Sequence, residues 1–288
     1  MYLELSARER ISALVDANSF NEFIKPGLEF LSPHLEQLDL PTAFDDGVII
    51  GEAKLDGDSI LIASQNYAFM GGAVGEINGA KLTGLCLKAL VTKPKAVVFL
   101  LDSGGVRLQE ANVGEIAISE IIAALMQLRH AGIPIYGIVG GRNGAFGGVG
   151  IMSQCLDQIL ITENARTGIS GPEVIETVMG SDEYDASDRA LVWRTCGGRE
   201  RASLGDGIYT GKSINELRSA LIKLCTAKPS FTVTGLEQEH LFLQQRLADF
   251  ATCVDGRDIW HKLGFNDPEH IPDLSDNEFM TVLNQGDK

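Results

Sequence analysis

The sequence predicts an α/β fold on a largely parallel, buried sheet, because apolar runs of strand length alternate with helical patterns through its middle. Strands are expected at Ala96 to Leu101, Ile133 to Val139 and Gln158 to Thr162. Helical spacing is expected from Gly84 to about Leu90, from Glu115 to Arg129 and from about Gly148. A third observation sets where the sheet begins. Val48 to Lys54 and Ser59 to Ser64 are strand-like runs around Asp56-Gly57, a turn dipeptide suited to a two-stranded hairpin.

The remaining elements follow in order. Ser6 and Glu9 have the spacing of a capping box, and Ile11, Leu14 and Val15 continue an apolar face, so a short helix opens the chain. Helical patterns return at Ile214 to Thr226 and Leu236 to Ala251. The tail from Asp267, with its prolines and acids, reads as an irregular surface extension.

Composition narrows the function. A chain of 288 residues, 44% hydrophobic and 22% charged, is long enough for a sizeable core and fits a folded enzyme. Its net charge of −15 opposes general binding to nucleic acid, so a phosphate-bearing ligand needs a local basic patch. The start from Met1 to Arg10 is polar, and no apolar run approaches the ~20 residues of a membrane span. Five scattered cysteines without a Cys-x-x-Cys pair suggest neither disulfides nor a zinc ribbon, and fit reduced thiols in the cytoplasm. A soluble, unprocessed cytoplasmic protein with no membrane partner is expected.

Three glycine-rich segments carry the chemical signal, each at or near the end of an expected strand, where α/β proteins usually place ligands. The first runs Asn66-Tyr-Ala-Phe-Met-Gly-Gly-Ala-Val-Gly75 and contains Phe69, Met70, Gly71 and Gly72. In the second, Leu101-Asp-Ser-Gly-Gly-Val-Arg-Leu-Gln-Glu110, the N–H groups of Gly104, Gly105 and Val106 are expected to lack strand partners. The third, Gly140 to Gly150, sets Phe146 before Gly147 and Gly148 where a helix should begin, offering further donors. Any one loop is equally readable as a tight turn. Two of them ending neighbouring strands favour a shared site.

No Walker loop, metal spacing, Gly-x-Ser-x-Gly elbow or histidine-based triad appears in the sequence. A site built on backbone donors suits reactions that develop negative charge on a carbonyl oxygen, such as enolate formation. Lys81 and Lys88 lie seven apart on one helical face and are candidates for ligand phosphates, although lysines there also favour solubility and the helix dipole. Arg189, Arg194, Arg199 and Arg201 form a second basic stretch. Arg107 is a candidate binding residue beside the second loop, with Glu110 an alternative partner that would make its role one of scaffolding.

These residues resemble a known family, the carboxyltransferase branch of the crotonase fold. The resemblance rests on Arg8-Glu-Arg-Ile11, Phe69-Met-Gly-Gly72, Ser103-Gly-Gly-Val-Arg-Leu-Gln-Glu110, Gly147-Gly-Val149 and Ile169-Ser-Gly-Pro172. Within that branch, Tyr184 to Thr195 with Gly197-Gly198 look most like the beta subunits of biotin-independent malonate decarboxylases. The chain lacks the four-cysteine zinc ribbon at the start of bacterial acetyl-CoA carboxylase beta subunits.

The resemblance implies a ββα spiral over residues 1–230 with a helical C-terminal extension over 231–288 packed on it. It implies an oxyanion hole at Gly104 and Gly105, with Gly147 and Gly148 opening the second crotonase helix. It implies a homologous gamma subunit completing the site and an acyl carrier protein. No cofactor would be bound directly, since a CoA-like prosthetic group arrives on the carrier. The expected activity is decarboxylation of a malonyl thioester to the acetyl thioester through a stabilised enolate, with Phe69 and Phe146 as apolar neighbours of the carboxylate. The alternatives are the carboxyltransferase subunit of a biotin-dependent decarboxylase or acyl-CoA carboxylase, and a non-catalytic scaffold that binds the carrier. A hydratase or isomerase is disfavoured because no glutamate pair is recognisable beside the loops.

Overall fold

The computed structural model describes residues 1–25, 28, 31–227, 229 and 231–286; the expected boundary at 230 falls on Ser230, outside the described residues. Helix α1 (Ala7–Leu14) opens as its capping box dictates, with Ser6 Oγ accepting from the Glu9 N–H and the Glu9 carboxylate from the Ser6 N–H. After β1 (Asn21–Phe23) and the short α2 (Pro33–Gln37) comes the hairpin of β2 (Val48–Leu55) and β3 (Asp58–Gln65). Its two turn residues, Asp56 and Gly57, both have positive φ, and the Asp16 carboxylate accepts their N–H groups at 3.0 and 2.8 Å.

Strand and helix then alternate: α3 (Glu76–Thr92), β4 (Ala96–Leu101), α4 (Val113–His130), β5 (Ile135–Val139), α5 (Gly147–Ser153) and β6 (Gln158–Ile161). Three short helices, α6 (Pro172–Met179), α7 (Arg189–Cys196) and α8 (Gly198–Ser203), lead to β7 (Ile208–Tyr209). The chain closes with α9 (Ile214–Thr226), α10 (Val233–Phe250), α11 (Gly256–Lys262) and α12 (Asp276–Gly286).

The seven strands among the described residues join one sheet in sequence order, antiparallel from β1 to β3 and parallel from β3 to β7. Each parallel crossover therefore advances by one strand, and the chain winds forward as a spiral. Beyond the strand ends a second set of parallel bridges pairs Val74 with Val106, Ser103 with Ala145 and Ala145 with Thr167. Long strand, short bridging strand and helix make up each turn, which is the expected ββα spiral.

The sheet is covered on both faces, which is why β4 reads as unbroken apolar sequence. Val97, Phe99 and Leu101 pack with Leu82, Leu85, Ile121 and Leu125 of α3 and α4. Ala96, Val98 and Leu100 pack with Ile11, Leu14, Leu217 and Leu221 of α1 and α9.

Three sequence expectations are corrected. Helix α3 starts at Glu76 and not at Gly84. Its early glycine, Gly79, would place a Cβ 2.3 Å from that of Ala117, so it is the close approach of α4 that requires glycine within the helix. The segment before β7 holds three helices that the pattern did not resolve. The tail is not an irregular surface extension: Pro268–Asp273 forms a 3₁₀ helix followed by α12, and Ile271 and Phe279 are buried against Trp260 and Tyr209. No helix among the described residues is long and apolar enough to cross a membrane.

Candidate active site

The parallel strands deliver the three glycine loops to one place. Gly71 carbonyl oxygen is their common knot, accepting from the Gly104 N–H at 3.0 Å and from Asn143 Nδ2 at 2.9 Å. The turn Met70–Gly72 has positive φ at all three residues, and a Cβ on Gly72 would stand 2.1 Å from the Asp102 carbonyl oxygen. The second and third loops touch through their backbones. A Cβ on Gly105, where φ is +125°, would lie 3.3 Å from the Phe146 carbonyl oxygen and 3.4 Å from Gly147 Cα.

A buried ion pair fixes this arrangement. Asp102, the residue just after β4, accepts from Arg10 of α1 at 2.7 Å through one carboxylate oxygen and from the Asn143 N–H at 2.7 Å through the other. Neither side chain is solvent-exposed. The Arg10 guanidinium also lies over the Tyr2 ring. Arg10 stands within the Arg8-Glu-Arg-Ile11 signature and Asp102 between an apolar strand and a Gly-Gly pair, but nothing in the sequence links the two; the acid at that position is the one available signal.

Several expectations about individual residues change. Gly104 and Gly105 do not present free N–H groups: the first donates to Gly71, the second to Ser103 Oγ at 3.1 Å. Gly147 donates to the Ile169 carbonyl oxygen at 2.9 Å. Among the described residues, the N–H groups of Val106 and Gly148 have no acceptor. These two are neighbours, a Cβ on Gly148 falling 3.2 Å from Val106 Cγ1.

Arg107 is buried and does not face a ligand. Its guanidinium grips both Asp46 carboxylate oxygens at 2.9 and 2.8 Å and lies over the Phe69 ring. Glu110 lies 3.6 Å from it and accepts from the Glu76 N–H at the start of α3, and from Ser32. Burial raises the Asp46 carboxyl above the ordinary aspartate range, against the lowering pull of Arg107.

Lys81 is likewise buried, donating to the carbonyl oxygens of Asp45 and Val48 at 2.8 and 3.0 Å, so it is not a phosphate ligand. Desolvation lowers its pKa, opposed by Asp45 and Asp46. Lys88 is exposed and rests over the Phe23 ring beside an apolar cavity. Phe146 is packed against Tyr184, Val192 and Cys196, which makes it a core aromatic beneath the third loop. Phe69, Met70 and Gly71 are half-buried, and Gly104 is exposed at the cleft's edge.

Known proteins resemble this chain in sequence and fold. The carboxyl transferase domain family matches residues 4–193. A malonyl-S-ACP:biotin-protein carboxyltransferase of Malonomonas rubra is 34% identical over 97% of this chain and 94% of its own length. The crystal structure of a Pseudomonas malonate decarboxylase hetero-tetramer in complex with malonate superposes with a TM-score of 0.82 at 35% identity, covering 91% of this chain and 96% of that one. A second Pseudomonas structure, of a malonate decarboxylase hetero-dimer, gives 0.67 at 32% identity over 86% and 96%. With its ββα spiral and its glycine loops in contact, the chain belongs to the carboxyl transferase family, on the crotonase-like fold that this family shares with malonate decarboxylase subunits.

Proposed function

We infer that the chain is a subunit of a malonate decarboxylase and acts on a malonyl thioester carried by an acyl carrier protein. The observation that carries this reading is the meeting of the Gly104–Val106 and Gly147–Gly148 loops, in which the N–H groups of Val106 and Gly148 are left without an acceptor among the described residues. Loss of carbon dioxide breaks the bond between the carboxyl carbon and the α-carbon. The electron pair moves onto the thioester as an enolate, and a proton later quenches the α-carbon. Val106 and Gly148 donate to the thioester oxygen, where charge develops, and so favour the transition state over the substrate. The bonds inside the loops hold these donors in place, so no reorganisation is needed as charge builds.

A partner completes the site. Ile169, whose carbonyl holds the Gly147 N–H, and Val174, Val178 and Met179 of α6 leave exposed apolar side chains beside the cleft, which supports a homologous subunit covering it. The heteromeric Pseudomonas relatives support the same reading.

A second reading has its own support, because the Malonomonas relative is named for transfer to a biotin protein. There the same donors would serve, and the carboxyl group would pass to biotin instead of leaving. Carbon dioxide release from a malonyl thioester by the chain with its partner subunit, with and without avidin, separates the two. We expect release that avidin leaves unchanged. Release abolished by avidin assigns the chain to biotin-dependent transfer, and no release from an assembled complex rejects both.

A further inference from the structure

Every arginine of the chain except Arg142, Arg166 and Arg189 has a carboxylate within ion-pair distance among the described residues. These three line one groove of about 340 Å³, together with Asn164 and Trp193. The guanidinium groups of Arg166 and Arg189 both lie over the Trp193 ring, at 5.0 and 5.5 Å, and Arg166 also donates to the Arg142 carbonyl oxygen. Arg142 lies over the Tyr67 ring. Nearby acids are engaged elsewhere: Asp188 caps α7, Asp185 accepts from Ser187, and Glu163 holds Arg199 and Lys212.

In a chain of net charge −15, three uncompensated guanidinium groups on one groove are an anion site built against the background field. Cation–π contact with the rings holds the three groups in place; Arg166 gives one N–H to the Arg142 carbonyl oxygen, and the remaining N–H groups suit phosphate oxygens. The groove also adjoins the cleft. Arg142 precedes Asn143, which ties Asp102 to Gly71, and the Arg166 carbonyl accepts the Ala145 N–H at 2.9 Å on the edge of the third loop.

We propose that the groove of Arg142, Arg166, Arg189 and Trp193 binds the phosphate ester of the thioester substrate's pantetheine-type arm. The proposal rests on the functional reading above, in which the reacting carbonyl lies at the glycine loops. The malonyl thioester end of the arm enters the cleft, and its phosphate end is held at the rim. Positioning of this kind fixes the carbonyl against its donors without touching the reacting atoms.

The test is direct binding, read by Trp193 emission; Trp260 is buried in the C-terminal core and gives a constant background. The full chain is titrated with 4′-phosphopantetheine, and with pantetheine, inorganic phosphate and malonate at constant ionic strength. Saturable binding of 4′-phosphopantetheine is expected, with pantetheine, phosphate and malonate all weaker by roughly tenfold or more. Arg142→Gln and Arg189→Gln change exposed residues without ion pairs, so the fold is retained, and the double variant should weaken 4′-phosphopantetheine binding by about tenfold or more.

Equal binding of pantetheine, equal binding by the double variant, or phosphate or malonate binding as tightly as the whole arm would overturn the proposal. Because this measurement needs no turnover, the two readings fail separately. Phosphate-dependent binding without carbon dioxide release sinks the functional reading; release with phosphate-independent binding sinks the groove.

Discussion

Asp102 joins three segments through one buried group: its carboxylate takes Arg10 and Asn143, while its N–H donates to Gln65. Replacing it with Ala leaves Arg10 buried and unpaired. That change is expected to cost about 3–5 kcal/mol in urea unfolding, since a stranded buried charge is far worse than a removed pair. A loss under about 1 kcal/mol would show that the pair does not hold the loops. The sequence could not reveal this bond, which spans 92 residues between groups with no local pattern in common. Spacing was equally blind to depth at Lys81: the seven-residue interval to Lys88 gives a shared direction, but only packing shows that Lys81 is covered while Lys88 reaches solvent. The glycines themselves were legible, because a Cβ is excluded where backbones meet; which N–H groups remain free was not, because that depends on partners in other loops.

At the level of elements, agreement follows from how local the cause is. Strand β4 and helix α9 have the expected bounds, since periodicity alone defines them. Helix α10 was expected at nearly its observed bounds, whereas α11, the 3₁₀ helix and α12 escaped because their cohesion is long-range: Trp260, Ile271 and Phe279 meet Tyr209 and Ala202 of earlier segments. Between α7, α8, α10 and α11 lies a cavity of about 470 Å³ bordered by Glu200. Burial pushes the Glu200 carboxyl up to about 8, opposed by Arg201 and Arg246 and reinforced by Asp206 and Asp255. The folded state thus holds this proton more tightly than the unfolded chain, whose value is near 4.5. Its contribution to stability is fully present below about pH 4.5 and is lost as pH rises through about 8. Glu200→Gln should flatten that decline when Tm is followed across this range. An unchanged slope would mean that Glu200 is already ionised near neutrality.

For the molecule as a whole, the spiral makes the site. Successive turns are offset by one strand, so segments far apart in sequence end side by side, and α1 and α9 brace the opposite face. The fold class, the hairpin and the loops were all visible from composition and period. The contact between the loops was not, because it arises only when β4 and β5 pair in parallel. The proposed function stands on this contact positioning the donors that stabilise the enolate. It is tested most directly by steady-state carbon dioxide release from a malonyl thioester, using Gly105→Ala in complex with the partner subunit. A Cβ at this position crowds Phe146 and Gly147 at 3.3 and 3.4 Å on a backbone with φ of +125°, so the loops must shift against one another to take it. In variant protein that still co-elutes with its partner, kcat should fall by roughly a hundredfold with KM little changed. A kcat within about twofold of the parent would contradict the claim.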